Sequence, residues 1–228
     1  HTATVVHGAG VGGLDASEAA QAVAEASLLA LYRYDAPRAQ PGDQPAPLKR
    51  LTLVELDAAK LSAVKAGAQA GRAVAEGVCL ARTLVNQPSN VATPDGVARA
   101  AQAMCEEASL DCRVLDEAQV RKEKMGLLLA VAQGAAQGPK FLVMAHRPKG
   151  AAQRKPVVLV GKGVTFDTGG YSLKPHDGMV GMKGDMSGAA AVIGAMKAAA
   201  GLKRPLHVVG LAPLVENVVS ATAFKPND

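Results

Sequence analysis

The sequence predicts an α/β fold, with a largely buried sheet flanked by helices on both faces. Three observations carry this. Strand-like apolar runs alternate with segments of helical period. Several of those runs are apolar almost throughout, as strands covered on both faces are. Ala and Gly supply much of the 49% apolar content and aromatics only 3%, which favours close helix-on-sheet packing. At 228 residues the chain can bury a sizeable core.

The elements follow in order. "TATVV" reads as a short strand. "LDASEAAQAVAEASLLALYRYD" has helical spacing, with Asp15 or Ser17 as its N-cap. "APRAQPGDQPAP" is a Pro/Gly-rich linker and marks the best domain boundary. "LKRLTLVELD" then reads as a strand, and a long helix runs from Ala58 to roughly Val85. "TPDGVARAAQAMCEEASL" opens on Thr93 as N-cap, with Pro94 at the first helical position, where its missing N–H is not needed. "CRVLD" reads as a strand and "EAQVRKEKMG" as a helix closed by Gly126. "LLLAVAQG", "KFLVMAH" and "PVVLVGKG" read as buried strands, "MSGAAAVIGAMKAAAGL" as a helix rich in small residues, and "PLHVVGLAPL" as a last buried strand.

The bulk chemistry narrows the function. The net charge is +5, but the basic residues are scattered and no aromatic stacking platform accompanies them, so nucleic acid is disfavoured as a partner. No signal peptide or membrane-length apolar run is visible. The three cysteines, Cys79, Cys105 and Cys112, form no C-x-x-C pair. A reducing, cytoplasmic location with cysteines packed as small apolar residues is expected. The chain begins with His1 and stops after "FKPND", and is expected to be a piece of something longer.

Several motifs tempt and fail. Gly8, Gly10 and Gly13 spell G-x-G-x-x-G between a strand and a helix. A dinucleotide site also needs an acidic residue closing a second strand about 20 residues on. Helix and linker occupy that region, and Glu55 comes too late. "GKGVTFDTGG" departs from the phosphate-binding pattern because Gly161-Lys162 is followed by glycine. Ser172, His176 and Asp177 lie too close in one loop for a triad's geometry. His7, His146 and His207 sit in or beside apolar strands and are read as packed or hydrogen-bonded.

Lys162, Asp167, Lys174 and Asp185 remain. Lys162 and Asp167 sit where a buried strand runs out, and α/β sheets bind ligands beyond the carboxyl ends of strands. Glycines 161, 163, 169 and 170 let the backbone bend and approach a ligand. Asp185 precedes a helix whose first amides could hold its carboxylate. Two carboxylates converging on one pocket need a positive group between them, either lysines or hard divalent cations. The residues alone leave both readings open: a metal site, or two Asp–Lys ion pairs capping loops.

At these residues the sequence resembles the leucyl aminopeptidase family of cytosolic dinuclear-metal peptidases. "VGKGVTFDTGGYSLKP" and "MKGDMSGAAAV" are similar to its two central signatures, in order and spacing. "ARTLVNQPSNVATPDGVA" resembles the segment opening its catalytic domain, and "LLLAVAQGAAQGPKFLVMAH" the strand pair that follows. "LYRYD" resembles the tail of its N-terminal domain. The resemblance implies an incomplete phosphorylase/hydrolase-like catalytic domain with a mixed sheet, preceded by the tail of a smaller α/β domain. Residues 1–36 would be the N-terminal-domain tail, 37–57 a linker and connecting strand, and 58–228 the first part of the catalytic domain.

It also implies roles. Lys162, Asp167 and Asp185 match metal ligands, with Asp167 bridging two ions. Lys174 matches the catalytic lysine near the scissile carbonyl, and Met182 a residue lining the pocket for the substrate's first side chain. Two divalent ions are implied, Zn2+ and/or Mn2+, with Mg2+ or Co2+ as alternatives. Lys162 would ligate as the neutral amine, which an adjacent dication favours. Lys174 would keep its charge and stabilise an oxyanion. The ions would polarise the carbonyl and activate a bridging water.

The implied function is release of N-terminal amino acids, leucine-like ones preferred, from peptides with a free N-terminus, by a hexamer. Thr168, Tyr171 and Gly184 stand where relatives often carry other residues. The family's third signature, Asn-Thr-Asp-Ala-Glu-Gly-Arg, would follow "ATAFKPND". Asp167 and Asp185 bring two negative charges against four from two dications, so further carboxylates are needed. The 228 residues alone are therefore expected to be inactive and to need the remaining part of the catalytic domain. The competing expectation is a non-catalytic binding or assembly module, DNA-binding in one form.

Overall fold

Three of the helix starts, at Asp15, Thr93 and Asp116, follow the capping chemistry of the sequence. The computed structural model describes residues 2–6, 8, 10–35, 48–151, 155–226 and 228. Strand β1 (Thr2–Val6) leads to α1 (Ala16–Ala30). Asp15 caps that helix: its carboxylate accepts the Glu18 N–H at 2.8 Å, and Glu18 accepts the Asp15 N–H at 3.1 Å. Strand β2 (Arg50–Val54) pairs in parallel with β1. The Pro/Gly-rich linker, residues 36–47, falls outside the described residues.

A short 3-10 turn leads into α2 (Leu61–Asn86). Then α3 (Pro94–Glu107) starts as expected, with the Thr93 hydroxyl accepting the Gly96 N–H. Strand β3 (Asp111–Leu115) and α4 (Glu117–Lys122) follow.

The next segment departs from expectation. "LLLAVAQG" forms α5 (Gly126–Val131) and a 3-10 turn at 132–134, and is not a strand. A short apolar run fits either period, and Leu and Ala are strong helix formers. Gly126 opens this helix and does not close α4; the chain turns earlier, at Lys124, whose φ is 56°.

Strands β4 (Lys140–His146), β5 (Val157–Val160) and β6 (Gly163–Asp167) come next, then the short α6 (His176–Met179), α7 (Ser187–Leu202) and β7 (Val208–Asn217). They build a mixed sheet. β3, β4 and β7 are antiparallel neighbours, and β5 and β6 lie one after the other along the far side of β7, both parallel to it.

The principal core lies where α3 and α7 cover β4 and β7. Leu142, Met144, Met186, Ile193, Met196 and Leu214 are fully buried there. α2 lies against α7 so closely that a Cβ on Gly77 would strike the Gly194 carbonyl oxygen, and the reverse holds for Gly194. The close approach that composition leads one to expect between helix and sheet thus occurs also between two helices, backbone against backbone.

Strand burial is uneven. β7 is covered almost throughout, but Val157, Val158 and Val160 of β5 are 54%, 49% and 71% exposed. Among the described residues β5 pairs on one side only, with β7, and this leaves its other edge open.

Candidate active site

The sequence places Lys162 at the end of a strand, but the structure puts it in a break between two. Gly161 and Lys162 interrupt the run along β7, and the chain resumes as β6. Gly161 abuts the start of α7: a Cβ there would collide with the Gly188 carbonyl. The Lys162 carbonyl in turn accepts the Ala189 N–H at 2.8 Å. That bond satisfies one of the amides a helix start leaves open and ties the lysine backbone to α7.

Asp185 ends the 3-10 turn of Met182–Gly184, just ahead of α7. The expectation that helix amides hold its carboxylate is not met. Met186 takes the N-cap position with no side-chain cap bond. Asp185 Oδ2 instead accepts Lys162 Nζ at 2.5 Å. That ion pair sits at the surface, with the Lys162 side chain 60% exposed.

Asp167 is the last residue of β6, opposite Asn217, the last residue of β7. Two parallel strands therefore end side by side at the candidate site, the position where such sheets bind ligands. Asp167 Oδ2 accepts Lys174 Nζ at 2.6 Å. Oδ1 accepts the Gly169 N–H at 3.0 Å and Asn217 Nδ2 at 2.6 Å. Burial pushes the Asp167 carboxyl upward, but Lys174, the Gly169 N–H and the Asn217 amide outweigh it and hold the carboxyl below its ordinary value.

The loop after Asp167 closes when the Lys174 N–H reaches the Thr168 carbonyl at 2.9 Å. Gly169 makes this possible: its φ is 87°, and a Cβ would strike the Ser172 carbonyl. Lys174 Nζ also lies 2.9 Å from Met182 Sδ. The five residues singled out from sequence thus form one connected constellation. Lys162 meets Asp185, the Met182–Gly184 turn joins Asp185 to Met182, and Lys174 bridges Met182 to Asp167. Lys183 steadies the turn by donating to the Asn86 carbonyl at the end of α2, at 2.9 Å.

Both ion pairs of the simpler reading are present, and the donor set bears on the other. Lys162 Nζ and Asp185 Oδ2 lie side by side, as two ligands of one cation would, and Asp167 adds a fixed carboxylate. Among the described residues no three His, Cys, Asp or Glu side chains gather to hold an ion. By donor type, two carboxylates and an amine could supply part of a cation's shell, with water or further carboxylates to complete it.

The dismissed motifs stay apart. The loop after β1 has its four glycines at positive φ, and Asp15 holds the α1 N-terminus with a negative charge where an anion would sit. Ser172, His176 and Asp177 are exposed. His7 is outside the described residues, and His146 Nε2 is buried with no hydrogen-bond partner, so that ring is packed and not satisfied. Cys105 is buried, Cys79 and Cys112 half-buried, and all three are free thiols.

Sequence reading missed Asn217, Glu216 and Lys225. Buried Glu216 pairs with Lys225 at 2.7 Å, and Lys225 lies 6.0 Å from the centre of the Phe166 ring. "ENVV" at the end of an apolar strand gives no signal of a role, because its contacts depend on strand register.

Residues 79–228 match the sequence model of the cytosol aminopeptidase family, catalytic domain. A protein of Syntrophotalea carbinolica named "Probable cytosol aminopeptidase" is 47% identical over 95% of this chain and 44% of its own length. A protein of the same name in Geobacter sulfurreducens is 41% identical over 99% of this chain and 45% of its own. The solved structure titled "Bottromycin maturation enzyme BotP in complex with Mn" superposes with a TM-score of 0.82 at 38% identity, over 95% of this chain and 44% of that one. The chain thus spans less than half the length of each of these proteins.

Proposed function

Because this chain belongs to the cytosol aminopeptidase family, we propose that the intact protein is a metal-dependent aminopeptidase. It releases N-terminal amino acids, leucine-like ones preferred, from peptides with a free N-terminus. The observation that carries this reading is the constellation of Lys162, Asp185, Met182, Lys174 and Asp167, drawn together from two separate segments.

Lys162, Asp167 and Asp185 would hold the divalent ions, Lys162 through its amine and the two aspartates through their carboxylates. The structural neighbour's title names Mn, and the oxygen donors here suit hard cations. Mn2+ and/or Zn2+ are the proposed occupants. When bound, such ions supply Lewis-acid polarisation and a water nucleophile at neutral pH. The chain's own groups do the rest. Asp167 and Asp185 supply the negative charge, Lys174 faces the scissile carbonyl as a cation, and Met182 lines the pocket for the first side chain. A free α-amino group is a ligand that an internal peptide bond lacks, which confines cleavage to N-termini.

Two carboxylates against two dications leave a charge deficit, so this chain carries part of the site, and further acidic residues of the intact protein complete it. Residues 1–36 form the tail of an N-terminal domain and 58–228 the first part of the catalytic domain. A cytoplasmic hexamer is the proposed assembly. No helix among the described residues is long and apolar enough to cross a membrane.

Elemental analysis tests the metal assignment. The intact protein, loaded with MnCl2 and dialysed, is compared with Lys162→Ala. The variant is expected to lose one of the two metal equivalents. Unchanged metal content would refute Lys162 as a ligand.

A further inference from the structure

We propose that Asn217 is a positioning residue for the site: it fixes the Asp167 carboxylate from the neighbouring strand. This rests on the metallo-aminopeptidase reading above. Asp167 Oδ1 has two donors. One, the Gly169 N–H, belongs to the same loop as Asp167 and moves with it. The other, Asn217 Nδ2 at 2.6 Å, comes from a different element. That element, β7, is flanked by β4 on one side and by β5 and β6 on the other.

The register explains how the amide gets there. The β6–β7 pairing is regular at Gly163 and Val164, slips, and resumes with Asp167 opposite Asn217. An irregularity of this kind re-aims a side chain at a strand end. One backbone bond and one side-chain bond then lock the pair, since the Asn217 carbonyl accepts both the Thr168 N–H at 2.9 Å and the Thr168 hydroxyl, Oγ1, at 3.0 Å. Gly170 leaves room for the amide, since a Cβ there would lie 3.2 Å from Asn217 Oδ1. One residue back, Glu216 faces the other way and anchors the strand end through Lys225.

The residue type fits the task. An amide donates a hydrogen bond without adding charge. A lysine or arginine in its place would cancel negative charge that a cation site needs, and a carboxylate would repel Asp167. With Oδ1 held by Asn217 and Gly169, Oδ2 is left as the oxygen that can be presented to a cation; among the described residues it accepts from Lys174 Nζ. Hydrogen bonds of this kind orient a ligating carboxylate, and losing one costs about 10–100-fold in metal affinity.

The test titrates MnCl2 into the intact protein and follows free Mn2+ by electron paramagnetic resonance. Leucine p-nitroanilide kinetics run in parallel. Asn217→Leu keeps the branched side-chain shape and every backbone bond but removes the donor. It is expected to weaken Mn2+ binding by about 10–100-fold and to lower kcat at saturating Mn2+ while KM holds within roughly twofold. Should that variant fail to fold, Asn217→Ser carries the same expectation, because its hydroxyl is too short to reach Asp167.

Asn217→Leu with wild-type Mn2+ affinity, in a wild type that binds and cleaves, would overturn the assignment of Asn217 alone. A wild type that binds no Mn2+ would overturn the metallo-aminopeptidase reading, and this proposal with it.

Discussion

Lys174→Ala lowers kcat for leucine p-nitroanilide by about 10²–10³-fold in the intact, Mn2+-loaded protein, the range seen when one oxyanion-stabilising group is removed. KM changes little, because an interaction made in the transition state and not in the ground state appears in kcat. The placement of Lys174 supports the expectation. Its backbone is fixed by the bond to the Thr168 carbonyl, and its ammonium is held 2.6 Å from Asp167 Oδ2 and 2.9 Å from Met182 Sδ. The charge thus sits between the carboxylate proposed to hold metal and the residue proposed to line the first pocket. Lys174→Arg does not restore the rate, since a planar fork replaces a compact ammonium on a shorter reach. Were Lys174 only half of a loop-capping ion pair, its removal would lower thermal stability slightly and leave kcat intact.

Phe166→Ala destabilises the protein by about 3–5 kcal/mol, the range for removing a fully buried aromatic ring. Phe166 is wholly buried in β6, immediately before Asp167. Its ring lies beneath Lys225, which pairs with buried Glu216 beside Asn217. Losing the ring opens a cavity under both strand ends that carry the site. Typical proteins hold about 5–15 kcal/mol in total, so the loss is a large fraction. A fall in the urea midpoint at unchanged slope measures it. A midpoint within error of wild type would show that the ring is not part of the core that supports Asp167.

The helices were the most legible part of the chain. Thr93 announced its helix, and Asp15 proved the cap where Asp15 and Ser17 were both candidates, because capping is local chemistry, readable within four residues. The strands were legible where apolar runs were long, as in β4 and β7. "LLLAVAQG" was not, because short apolar runs carry no decisive period and the neighbouring fold chooses between helix and strand. The break at Gly161-Lys162 escaped because β5 and β6 share one partner strand, which only the sheet reveals.

The candidate site was legible as residue types and spacings. Lys162, Asp167, Lys174, Met182 and Asp185 do come together. Which lysine meets which aspartate was not legible, since that depends on the loop closed at Gly169 and on the turn before α7. Asn217 lies 50 residues beyond Asp167 in sequence and reaches it only through the register of two strands.

The most direct test of the central claim is hydrolysis by the intact protein, loaded with Mn2+, of leucine p-nitroanilide beside its N-acetylated form. The predicted result is release of p-nitroaniline from the free-amine substrate alone, abolished by EDTA and restored by MnCl2. Failure to cleave the free-amine substrate, or equal cleavage of the two that survives EDTA, would contradict a metal-dependent aminopeptidase built on Lys162, Asp167, Lys174 and Asp185.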